Sequence, residues 1–159
     1  MHAHDLALRL ITNFGKLLDL EGLTLQGGTH NCALEFDGNI TVTFEYHEPT
    51  SQMLLTAVLG TPPAEGAEPL LRELMAGNLS EFLQLGVALG LDEASQCIVL
   101  MQGRPVQELD DPTFEKMVER FIDRAEFWQQ RIESLGTSAS PQPQAQVNKL
   151  VPDGAHIFG

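Results

Sequence analysis

The densest group of side chains able to do chemistry is Glu108, Asp110 and Asp111. Neighbouring carboxylates serve as acid and base when burial drives their pKa values apart. One reading is therefore a small acidic hydrolase or ligand-binding domain with a pocket around Glu108. The simpler reading is capping: Asp111 stands before Pro112 at the head of an apolar-periodic stretch, where solvated acids favour the positive end of a helix. Cys97 has no histidine nearby in sequence and reads as a packed strand residue rather than a nucleophile. His2 and His4 could pinch a metal ion, but His30, His47 and His156 are scattered and form no helical pair, so no metal site is expected. Phosphate-loop, dinucleotide, HExxH and GxSxG patterns are all missing. No catalytic residue and no cofactor can be nominated.

A chain of 159 residues suffices for one domain with a real core. Nine Lys and Arg against 22 Asp and Glu give a formal charge of −13, which repels phosphate backbones and anionic lipid. Nucleic acid and membrane are thus excluded as expected partners. The first residues lack the pattern of a signal peptide, and no apolar run approaches the ~20 residues of a membrane span. Cys32 and Cys97 lie apart in apolar strands and read as free thiols of a reducing compartment.

The elements follow from periodicity. Leu6, Ala7, Leu10, Ile11, Phe14, Leu17 and Leu18 share one face of a helix over residues 5–19, with Leu8 off that face. Cys32, Leu34 and Phe36 alternate, Asp37-Gly38 signals a turn, and Ile40, Val42, Phe44 and Tyr46 alternate again, as in a hairpin. Residues 53–59 are almost continuously apolar, which predicts a central strand covered on both faces. After a Gly- and Pro-rich break at 60–66, a second helix starts near Glu68 with Pro69 in its first turn. Strands at 86–91 and 96–101 joined through 92–95 make five. A third and longest helix, capped by Asp111, lines up Phe114, Met117, Val118, Phe121, Ile122, Ala125, Trp128, Ile132 and Leu135. Phe127 projects off that stripe, as either a partner contact or a partly covered surface ring. The expected fold class is α+β, a mainly antiparallel five-stranded sheet with three helices in the order α-β-β-β-α-β-β-α. The domain should span 1–135, with 136–159 a flexible tail rich in Ser, Pro, Gln and Ala. The tail's Leu150, Val151, Ile157 and Phe158 either dock or fray.

Residues 70–91 set two apolar surfaces side by side. Leu70, Leu71, Leu74, Met75 and Leu79 recur at helical spacing, and Val87, Leu89 and Leu91 alternate as one face of a strand. No catalytic group lies within the run, which reads as an association surface.

This order of elements resembles the class I type III secretion chaperones, the Tir-chaperone family. The likeness extends over 6–132 and is carried by NFGKLLDLEGLTL at 13–25, CALEFDGNITVTFEY at 32–46, LLRELMAGNL at 70–79, GVALGLD at 86–92 and FEKMVERFIDRAEFWQQRI at 114–132. Phe82, Leu83 and Leu85 depart from it, standing where small residues are common in the family. The resemblance implies a homodimer through the second helix and the following strand, with Leu71, Leu74, Met75, Leu79, Val87, Leu89 and Leu91 as interface candidates, although monomer packing explains several equally well. It also implies an ATP-independent holder in the bacterial cytoplasm. There it would keep the N-terminal region of a secreted effector extended and secretion-competent, with a secretion-system regulator as a possible further partner. The first helix and hairpin offer Leu6, Leu10, Phe14, Leu34, Phe36, Val42 and Phe44 as effector contacts, each equally compatible with the core. An acidic nucleic-acid mimic ranks below both other readings, since the acids form no rows.

Overall fold

In a computed structural model of the chain, residues 2–37 and 39–135 are described. The expected order is borne out: α1 (Ala3–Leu17), β1 (Asn31–Phe36), β2 (Ile40–His47), β3 (Gln52–Gly60), α2 (Glu68–Leu85), β4 (Val87–Asp92), β5 (Cys97–Pro105) and α3 (Asp111–Ser134). The five strands run β1-β2-β3-β5-β4, every neighbouring pair antiparallel. β3 takes the middle, and β1 and β4 are the edges.

Pleat alternation sorts the side chains. Val42 and Phe44 on β2, Met53, Leu55, Ala57 and Leu59 on β3, and Ile98 and Leu100 on β5 are buried beneath the helices. α3 lies on β3 and β2, and α1 lies against α3. Phe14, Phe44 and Phe114 meet at the centre, their ring centroids 5.6 to 6.1 Å apart in tilted and edge-to-face geometry.

Two expectations are corrected. β3 is covered on one face only: Leu54, Thr56 and Val58 alternate outward with Thr41, Thr43, Glu45 and Met101, all half-buried or exposed. The continuous apolar run therefore reports an apolar outer surface, not a second helical layer. The cap of α3 is Asp110, whose Oδ1 accepts from the Thr113 backbone N–H at 2.8 Å. Asp111 is the first helical residue, and its Oδ2 accepts from Asn13 Nδ2 at 2.9 Å, tying α1 to α3. The tail beyond Leu135 lies outside the described residues.

Candidate functional site

α2 carries its polarity the wrong way round for a surface helix. Glu73, Gly77 and Glu81 recur every four residues on the side facing α3 and meet Arg131, Trp128 and Arg124 in antiparallel order. Buried Glu81 accepts from Trp128 Nε1 and Arg124 Nε, both at 3.0 Å, and also pairs with Arg124 Nη2. The Arg124 guanidinium lies 4.4 Å above the Phe127 ring, so that off-stripe aromatic is a cation–π platform. Glu73 pairs with Arg131, whose hydrogen bonds hold its carboxyl below the usual range. Gly77 makes room for the Trp128 ring: a Cβ there would stand 2.2 Å from Cη2. At the far end, Gly86 takes the left-handed conformation at φ 67° and turns the chain into β4. Asn78 Oδ1 accepts from the Leu89 N–H at 2.8 Å and Gln102 Nε2 donates to the Leu85 carbonyl at 2.8 Å, fastening α2 to the sheet.

The inner face holds these ion pairs together with buried Leu70 and Leu74, and a second apolar stripe points outward. Met75 is 77% exposed, Leu83 74%, Leu79 64% and Phe82 62%. Leu71 and Leu91 are exposed as well, while Leu89 is half-buried. Leu74 and Val87, also offered as interface candidates, are sealed inside the domain. Exposed apolar side chains gathered on one face are the kind of surface that association sites use.

The second candidate surface divides differently. Leu10, Phe14, Leu34, Phe36, Val42 and Phe44 all lie in the domain's own core, and Leu6 is half-buried against it. What this region offers instead is backbone. The Gln26 N–H bonds the Asn31 carbonyl at 2.9 Å on the outer side of β1, and ladder alternation then turns the polar groups of Ala33 and Glu35 outward too, although Ala33 is buried and only Glu35 of the two reaches the surface. Among the described residues, none outside the sheet hydrogen-bonds the backbone of residues 32–35. β4 is blunted by comparison, because Asn78 takes up the Leu89 N–H.

The chemical candidates dissolve. Glu108, Asp110 and Asp111 are exposed, and Asp110 and Asp111 serve the start of α3. Thr113 hydrogen bonds hold the Asp110 carboxyl below its ordinary value, as capping requires. Burial pushes the Cys32 thiol up to about 12, the opposite of a nucleophile's tuning. Among the described residues no cluster of His, Cys, Asp and Glu could hold a metal, and no helix is long and apolar enough to cross a membrane.

Residues 9–129 match the family model described as the Tir chaperone protein (CesT) family. The chain belongs to the Tir chaperone protein family. No curated protein matches it. Among solved structures, a chain of the ExsC–ExsE complex is similar at 25% identity and a TM-score of 0.72, covering 88% of this chain and 100% of that one. A chain of the HopA1–SchA chaperone–effector complex gives 0.70 at 22% identity, over 80% of this chain and 95% of that one. A chain of the heterodimeric ExoU–SpcU complex from the type III secretion system of Pseudomonas aeruginosa gives 0.59 at 19% identity, over 80% and 98%. The last two establish the fold alone. The family reading from the sequence is borne out, and the Tir chaperone match supports a chaperone over the hydrolase built on Glu108.

Sequence reasoning missed Gly77 and Glu81 as determinants of the surface, and marked Phe82 and Leu83 only as departures from the family pattern. The signal for the first two was their four-residue spacing with Glu73, legible only once α3 is known to run alongside.

Proposed function

We propose that the chain is a dimeric, ATP-independent chaperone of the bacterial cytoplasm that holds the N-terminal segment of a type III secreted effector extended for export. The observation that carries this reading is the match to a chaperone family over 9–129 by a fold with an outward apolar stripe and an edge strand, β1, whose outward backbone at Glu35 has no hydrogen-bond partner among the described residues. Leu71, Met75, Leu79, Phe82 and Leu83, continued by Leu89 and Leu91, form the dimer face. A two-fold axis lets one short patch serve both subunits. The client segment adds as a strand along β1, its backbone meeting Glu35, the outward-turned position there that is not buried. Leu6, Leu10, Phe14, Leu34, Phe36, Val42 and Phe44 shape this region from beneath as the packed floor of that edge. Binding needs no bond made or broken, in keeping with a family of chaperones rather than enzymes.

The test is solution mass and client capture. The domain should run at about twice its 17.4 kDa protomer mass and co-purify with the N-terminal region of a secreted effector from a type III secreting bacterium. Proline at Glu35 removes one outward N–H and should abolish capture while leaving the dimer intact. A monomer that captures no secreted protein would end the proposal.

A further inference from the structure

In a chain of charge −13 the few cations are not evenly spent. Of nine Lys and Arg, Arg72, Arg124 and Arg131 are paired with Glu68, Glu81 and Glu73. Three others, Arg104, Lys116 and Arg120, converge on one cleft of about 400 Å³ between the end of α2, the start of β4, β5 and the first half of α3. None of the three makes an ion pair among the described residues, although Asp111, Glu115 and Glu119 ride on the same helix. Lys116 and Arg120 stand one turn apart on α3, and Arg104 shares a side of β5 with Gln102. Gln102 spends its Nε2 on the Leu85 carbonyl, and its Oε1 is buried without a donor.

We propose that the cleft binds an acidic stretch of extended polypeptide. Arg104, Lys116 and Arg120, which line the cleft, neutralise its side-chain carboxylates. This rests on the reading of the chain as a holder of unfolded polypeptide, and adds a preference for where along a client acidic residues fall. The three cations stand on β5 and on two successive turns of α3. A peptide with two carboxylates at fixed spacing engages cations on both elements together, whereas a bare inorganic anion offers a single charged centre. Acidic residues elsewhere on the surface repel an acidic segment, so this cleft fixes its register.

The experiment is an NMR titration of the 15N-labelled full chain with the blocked peptide acetyl-Ser-Asp-Leu-Glu-Ser-amide, with its Asn/Gln counterpart, and with inorganic phosphate. The acidic peptide should give saturable, salt-sensitive shifts at Gln102, Gly103 and Thr113. The neutral counterpart and the triple variant Arg104→Gln, Lys116→Gln, Arg120→Gln should each bind about tenfold more weakly. All three substituted residues are exposed, and an unchanged melting temperature checks the fold. Should the variant melt early, the two peptides on the unmodified chain decide alone. Equal binding of both peptides, shifts elsewhere, no saturable binding, or phosphate binding without peptide binding would each overturn the proposal. The titration uses neither dimerisation nor a natural client, so its failure is separable from failure of the chaperone reading.

Discussion

Replacing Gly77 by alanine should destabilise the domain, against what helix propensity alone expects. In an exposed helix interior that exchange gains about 1 kcal/mol. Here the added methyl would stand 2.2 Å from Trp128 Cη2 and 2.3 Å from Cζ2, against a contact distance of about 3.5–4.0 Å. The indole is buried and its Nε1 is held by Glu81, so the ring cannot swing aside without losing that bond. Overpacking of this order costs about 1–3 kcal/mol, so with the propensity gain subtracted and a severe overlap a net loss of about 1–2 kcal/mol is expected. That corresponds to a fall in melting temperature of roughly 3–8 °C for a domain of this size. Urea and thermal unfolding at one fixed protomer concentration provide the measurement, because association shifts apparent stability. In a Trp128→Phe background the far edge of the indole is gone, and Gly77→Ala should become neutral or stabilising. Equal or greater stability of Gly77→Ala in the native background, or a cost that persists beside Phe, would refute the reasoning.

Met75→Glu with Leu79→Glu should convert a dimer of about 35 kDa, twice 17.4 kDa, to a monomer by light scattering, changing monomer stability by only about 0.5 kcal/mol because both side chains face water. Glu81→Ala strands the Trp128 N–H and should cost about 1–3 kcal/mol in urea unfolding. Asp110→Ala should lower the melting midpoint and Asp110→Asn should largely preserve it. Because the folded carboxyl is held low, its contribution is present above the ordinary value of 3.8 and fades as pH falls below it. The Cys32 thiol has the opposite sign. Raised from 9.0 to about 12, it contributes fully below pH 9 and loses that contribution as pH climbs toward 12. Urea midpoints should therefore fall more steeply with pH in that window for the native chain than for Cys32→Ala.

Element order was legible because each element writes its own period. Leu10, Ile11 and Phe14 can only share a helix face, and Val42, Phe44 and Tyr46 can only share a strand face. Who covers an apolar side chain is not written in that period. Phe44 and Met75 look alike in sequence, yet the first lies under α1 and α3 and the second faces solvent. The α3 cap was misplaced by one residue because Asp110 and Asp111 are chemically identical, and only the Thr113 hydrogen bond separates them. The cleft was hidden for another reason. Lys116 and Arg120 are visibly one turn apart, but Arg104 joins them only through the pairing of β5.

The inward ladder of Glu73, Gly77 and Glu81 separates two jobs that most surface helices perform with the same residues. α2 is moored to its own domain by one side and leaves the apolar side chains of the opposite side exposed. On the proposed dimer face, interchange of Leu71, Met75, Leu79, Phe82 and Leu83 would therefore retune who the domain assembles with while its moorings stay untouched. Homotypic and mixed pairings become variations on a single scaffold, reachable without remaking its interior.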